Sequence, residues 1–203
     1  MTRHATILGR MLRRACKILP GILALASLAG CASLSEKQCR AQDWYQVGYE
    51  DGSAGTHTRR IESHASACAA YGIEIDTAQY EIGRVDGLQH YCTLARGIET
   101  GVRGSPYSGA CTGDREVEFL RGYREGRRLY DVDVRLARVE SDIETYRRRL
   151  AVKDLDDEQR RRLYQVLRDL EFDRSRLEGE RRQVEWALRT LEREAYRRPL
   201  DHE

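Results

Sequence analysis

The chain has 203 residues, 33% of them charged and 40% hydrophobic, with a formal charge of +2. That length allows one domain or two small ones, and so much charge favours solvent-exposed helices over a single large core. Lysine occurs only at positions 17, 37 and 153 and asparagine is absent, so arginine carries the positive charge by composition and no single arginine marks chemistry.

At the start, Arg3, Arg10, Arg13, Arg14 and Lys17 precede an apolar run from Ile18 to Ala29, and no acid occurs before Glu36. The run is shorter than the roughly 20 residues that a spanning helix needs. A basic start, a short apolar middle and small residues at the end indicate a secretory signal over residues 1–30. Its end, Leu28-Ala29-Gly30-Cys31, resembles the lipobox of bacterial lipoproteins. The resemblance implies cleavage before Cys31 and acylation, with palmitate among the chains, of its thiol and new amino terminus. Ala32 differs from the Asp that resembles an inner-membrane retention signal. The expected location is therefore the outer membrane of a Gram-negative envelope, facing the periplasm. Losing the leader leaves 30 basic against 33 acidic residues, a balance of −3. A slightly acidic chain argues against a nucleic-acid partner.

Residues 31–38 read as a polar tether and residues 39–113 as a compact head. Cys16 leaves with the leader and Cys31 takes the lipid, so Cys39, Cys68, Cys92 and Cys111 remain. An even number of cysteines in an oxidising compartment indicates disulfides, with three possible pairings. The lesser reading is a metal site completed by His57, His64 or His90. No C-x-x-C pair supports it, and each histidine reads as a helix-surface residue. Neither metal nor cofactor is expected.

The head contains a repeat: an aromatic, Gly at +3, an acid at +6 and Gly at +7. Its copies are Tyr45-Gly48-Asp51-Gly52, Tyr80-Gly83-Asp86-Gly87 and Phe119-Gly122-Glu125-Gly126. A degenerate copy is Leu94-Gly97-Thr100-Gly101. Offsets of 3, 4 and 7 share one helix face. Each glycine costs about 1 kcal/mol against Ala in a helix interior, so the spacing predicts close helix packing on that face. A sharper reading makes the acids Asp51, Asp86 and Glu125 line a ligand groove.

Local signals predict helices at about 44–53, 58–71 and 77–91, started by Asp43 and Asp76 and stopped by Gly52, Gly55 and Gly72. The first two are expected to form an antiparallel hairpin turning near Gly55. That fold brings Cys39 to Cys68. Between Cys92 and Cys111 the density of Gly and Pro predicts a loop, closed by a Cys92–Cys111 bridge.

The set Cys39-x-x-x-Asp43-Trp44, Gly48-x-x-Asp51-Gly52-x-x-Gly55, Tyr80-x-x-Gly83, Gly87-Leu88-x-x-Tyr91-Cys92 and Tyr107-Ser-Gly-Ala-Cys111 resembles a family of bacterial envelope lipoproteins known only as a domain of unknown function. The resemblance covers roughly residues 31–130. It implies an envelope lipoprotein and supplies no catalytic residue.

From residue 114 the composition becomes strongly charged. Leu129, Val132, Leu136, Val139, Ile143, Tyr146 and Leu150 form one seam with steps of 3 and 4. A second runs from Leu163 to Ala195, interrupted by Arg174 and Arg181. The polar break at 153–156 predicts an antiparallel coiled-coil hairpin over 114–198, with Leu136 opposite Leu170 and a tail at 199–203. The whole is expected to be all-α: a disulfide-stapled helical head followed by a long hairpin. The functional expectation is a non-enzymatic, membrane-anchored protein that binds an envelope partner through its arm. The alternative is a cell-wall glycan binder or glycan-cleaving enzyme using Asp51, Asp86 and Glu125.

Overall fold

The computed structural model describes residues 33–197, and every regular element among them is helical. The expected leader, the Cys31 lipidation site and the tail 199–203 lie outside the described residues. The helices are α1 (Glu36–Ala41), α2 (Trp44–Ser53), α3 (Arg60–Ala69), α4 (Thr77–Tyr91), α5 (Leu94–Val102), α6 (Gly113–Leu150) and α7 (Asp157–Arg197). No described helix is long and apolar enough to cross a membrane.

The chain divides into two compact units. The described part of the smaller comprises residues 33–42 and Glu62–Glu74. Ser35 starts α1 with a capping box, its hydroxyl taking the Gln38 N–H while the Gln38 side chain takes the Ser35 N–H. Gly72, at φ +69°, follows the end of α3, where an L side chain would be strained. The Cys39–Cys68 bridge, with Cα atoms 5.4 Å apart, joins α1 to α3. His64 is buried in this unit, its Nδ1 2.8 Å from the Ser33 hydroxyl. It is not the surface histidine that the sequence suggests.

The described part of the larger unit comprises Asp43–Ile61 and residues 75–197. Asp43 and Asp76 cap α2 and α4 by accepting the N–H groups of Gln46 and Gln79, each at 3.0 Å. The partner of α2 is α4, where the sequence reading set the helix at 58–71 against it. A second departure is α5. Nine residues of helix occupy the expected loop, started by the Thr93 hydroxyl on the Arg96 N–H. Glycine density misled the reading because Gly97 and Gly101 are interface glycines, whereas Gly104 and Gly109, at φ +68° and +75°, are the turn glycines.

The long α6 and α7 form an antiparallel hairpin. Asp156 starts α7 with a reciprocal cap to Gln159, and the turn lies at 151–156. Val132, Ile143, Leu167, Leu177 and Val184 are buried along the seam. Cross-helix ion pairs set the register: Arg121 with Glu194, Asp133 with Arg181, Arg135 with Glu180 and Arg147 with Glu171. They place Leu136 beside residues 178–180 rather than Leu170, a shift of about two and a half turns.

Candidate functional site

The repeat residues form helix–helix contacts. Were a Cβ added at Gly48, it would meet the carbonyl of Tyr80; at Gly52, that of Arg84. Reciprocally, Gly83 faces the carbonyl of Tyr45 and Gly87 that of Tyr49. The contacts advance in the same direction along both helices, so α2 and α4 run parallel. Glycine is required because a side chain on either strip would strike backbone, which cannot move aside. The same arrangement recurs between α5 and α6: Gly97 faces the Phe119 carbonyl and Gly101 that of Tyr123, while Gly122 faces Leu94 and Gly126 faces Ile98. Backbones this close permit Cα–H···O contacts of about 0.5–1 kcal/mol each, the interaction seen where helices meet through small residues.

The correspondence extends past the strips. Gly55, at φ +65°, lies under the Tyr91 ring, and Gly104 lies under the Tyr130 ring. Each ring is eleven residues beyond the aromatic that opens its repeat. After each positive-φ glycine a backbone N–H turns back to the helix, Thr56 to the Asp51 carbonyl and Ser105 to the Thr100 carbonyl. The chain therefore carries two copies of one parallel helix pair.

The acids do not form one groove. The Tyr80 hydroxyl donates to Asp51 at 2.7 Å, and the Tyr45 hydroxyl donates to Asp86 at 2.9 Å. These reciprocal bonds clamp α2 to α4. Burial first, and then the Asp51 bond, raise the Tyr80 phenol above its ordinary range. The hydrogen bond to Asp86 is the larger cause of the rise at Tyr45. Glu125 has a different role, pairing on the surface with Arg128 at 3.1 Å. The histidines are dispersed: the His57 ring accepts the Arg59 N–H, and His90 lies edge-on to Tyr49. No cluster of metal-ligating residues occurs among the described residues.

Two features escaped the sequence reading. Arg84 is buried in the first pair, where its guanidinium donates to the Thr56 carbonyl at 3.0 Å. Its position, four residues after Tyr80 on the packed face, was the available signal. The second is an aromatic cluster between the pairs: Tyr91, Tyr107 and Tyr123 surround fully buried Phe119, with ring centroids 4.8–6.1 Å from it. The Cys92–Cys111 bridge, Cα atoms 5.6 Å apart, belongs to that cluster.

Duplicated parallel pairs, closed through glycine and joined by an aromatic core, define a helical packing domain. Residues 43–128 match the model of the family described as "Protein of unknown function (DUF2799)". The match begins at the Asp43 cap and ends inside α6, so it contains both pairs. No curated protein and no solved structure matches the chain.

Proposed function

We propose that the protein is a lipid-anchored component of the Gram-negative envelope, held in the outer membrane through Cys31 and facing the periplasm. In this reading it is not an enzyme, and it binds an envelope partner through the hairpin of α6 and α7. The anchor rests on the resemblance of Leu28-Ala29-Gly30-Cys31 to a lipobox and on the basic and apolar segments before it. The observation that carries the non-enzymatic reading is the engagement of the repeat acids. Asp51 and Asp86 hold tyrosine hydroxyls across a helix pair, which is structural work. Glu125 pairs with Arg128 three residues along its own helix. The alternative is glycan binding or cleavage by these three acids.

Metabolic palmitate labelling tests the anchor: the label is expected on the wild-type chain and lost in Cys31→Ala, and persistent labelling overturns the reading. For the arm, cross-linking in the envelope is expected to recover a partner through α6 or α7. Glycan binding that disappears in Glu125→Gln would instead restore the alternative.

A further inference from the structure

The outer side of α7 has a composition of its own. Counting heptads from the seam, with Leu163, Leu170, Leu177, Val184 and Leu191 at d, the b and f positions lie outside it, Trp186 lining a shallow groove with Arg124 and Glu125 of α6 and Tyr196 one with Val102 of α5. Three of them are Phe172, Trp186 and Tyr196, which are 71%, 66% and 79% exposed. Five others between residues 161 and 193 are arginines, and no b or f position from 161 to 196 is Asp or Glu. Yet α7 as a whole is rich in acids, and of these only Glu158, ahead of that stretch, falls at a b or f position.

Ion pairing follows the same division. Arg174 and Arg181, near the seam, pair with Glu178, and with Asp133 and Glu185. Arg162 and Arg176, at c positions, pair with Glu158 and Asp173. By contrast Arg161, Arg168, Arg182 and Arg189 are exposed and make no ion pair among the described residues, where Arg193 meets the Thr190 hydroxyl. Charges paired elsewhere along the helix are thus left open on one face, with a large ring every few turns.

We propose that this face of α7 lies on an anionic phospholipid surface. Trp and Tyr settle at the headgroup level of a bilayer, where one edge is apolar and the other wet. Arginine meets phosphate with a planar fork of donors, and each basic residue near an anionic surface adds to the attraction. The rings are spread over about 36 Å of helix rather than gathered into the buried centre typical of a protein interface. An extended flat partner bearing phosphates throughout fits that spacing. A second copy of the same face does not, because arginine would oppose arginine. The seam stays packed on α6 throughout, so no rearrangement is required. The inference rests on the proposed function only in treating the hairpin as the contact element.

Trp186 is the reporter, because the other tryptophan, Trp44, is buried. The full chain is mixed with phosphatidylglycerol-containing vesicles, and the emission of the Trp186→Phe variant is subtracted. Trp186 emission is expected to shift to the blue, and high salt is expected to reverse it. Replacing Arg182, Arg189 and Arg193 together by Gln should weaken this binding by about a hundredfold. An equal shift on neutral phosphatidylcholine vesicles overturns the proposal. So does an unshifted Trp186 on a chain that co-sediments with the vesicles, and in that case the lipid anchor stands while the docking face fails. A shift produced by polyglutamate but not by vesicles assigns the face to an acidic protein and also overturns it.

Discussion

The two helix pairs share a backbone contact and differ in what holds it shut. In the α2–α4 pair, Tyr45 and Tyr80 cross to Asp86 and Asp51, and Tyr45 and Tyr49 remain near the surface with ring centroids 6.4 Å apart. In the α5–α6 pair the matching positions are Leu94 and Phe119, with Thr100 and Glu125 in place of the aspartates. Leu94 and Ile98, which correspond to Tyr45 and Tyr49, are buried against Val184 and Leu188 of α7. The clamp is therefore polar where Tyr45 is exposed and apolar where α7 covers Leu94 and Ile98. The glycine strips are common to both, which makes close backbone approach the invariant part of the design.

The comparison breaks first at the glycines. Gly48→Ala and Gly97→Ala each place a Cβ on a backbone carbonyl, so each should cost about 3 kcal/mol in chemical denaturation. Equal losses support equivalent pairs, and a near-neutral Gly97→Ala would show that only the first pair is closed through backbone. Next is the cover: Leu188→Ala should cost about 2–3 kcal/mol and raise hydrogen exchange in α5 while leaving α2 unchanged. The polar clamp is smaller, with Tyr80→Phe expected to cost about 1 kcal/mol, read by the same denaturation curves.

A pH profile sharpens the same contrast. The folded-state phenols of Tyr45 and Tyr80 lie above the unfolded value of 10.0. Above pH 10 the unfolded chain releases protons that the folded chain retains, so stability is full below that pH and falls as pH rises through the folded values. The Tyr45→Phe, Tyr80→Phe double variant should show a shallower alkaline loss, measured as the denaturation midpoint against pH.

Short-range chemistry made much of this fold legible. Asp43 and Asp76 marked helix starts, alternating steps of 3 and 4 marked the seams, and the +3 and +7 glycines marked packed faces. Topology was harder to see. Glycine strips do not say which strip they meet, and an antiparallel neighbour is the simpler guess when two helices follow each other. The residues 56–76 and 103–112 instead carry the chain back so that its next glycine helix can run parallel. Cys39–Cys68 was chosen by folding residues 44–71 into a hairpin, but the bridge forms inside the unit made by residues 33–42 and Glu62–Glu74. The hairpin register is shown by cross-helix ion pairs such as Asp133 with Arg181, which a count of apolar residues from the turn does not see. At the proposed site, the cationic face of α7 was present in the heptad pattern, but attention to the seam hid the positions opposite it.

The Cys92–Cys111 bridge closes a ring of covalent bonds that contains all of α5 and the return segment after it. Within that ring the only trypsin targets are Arg96 and Arg103. A cut at Arg103 would leave both fragments joined through sulfur, and the glycine contacts of α5 with α6 would hold them in place. Such a molecule would migrate as one chain until thiol was added and then separate into two. A protease of that specificity thus nicks this part of the protein without removing it.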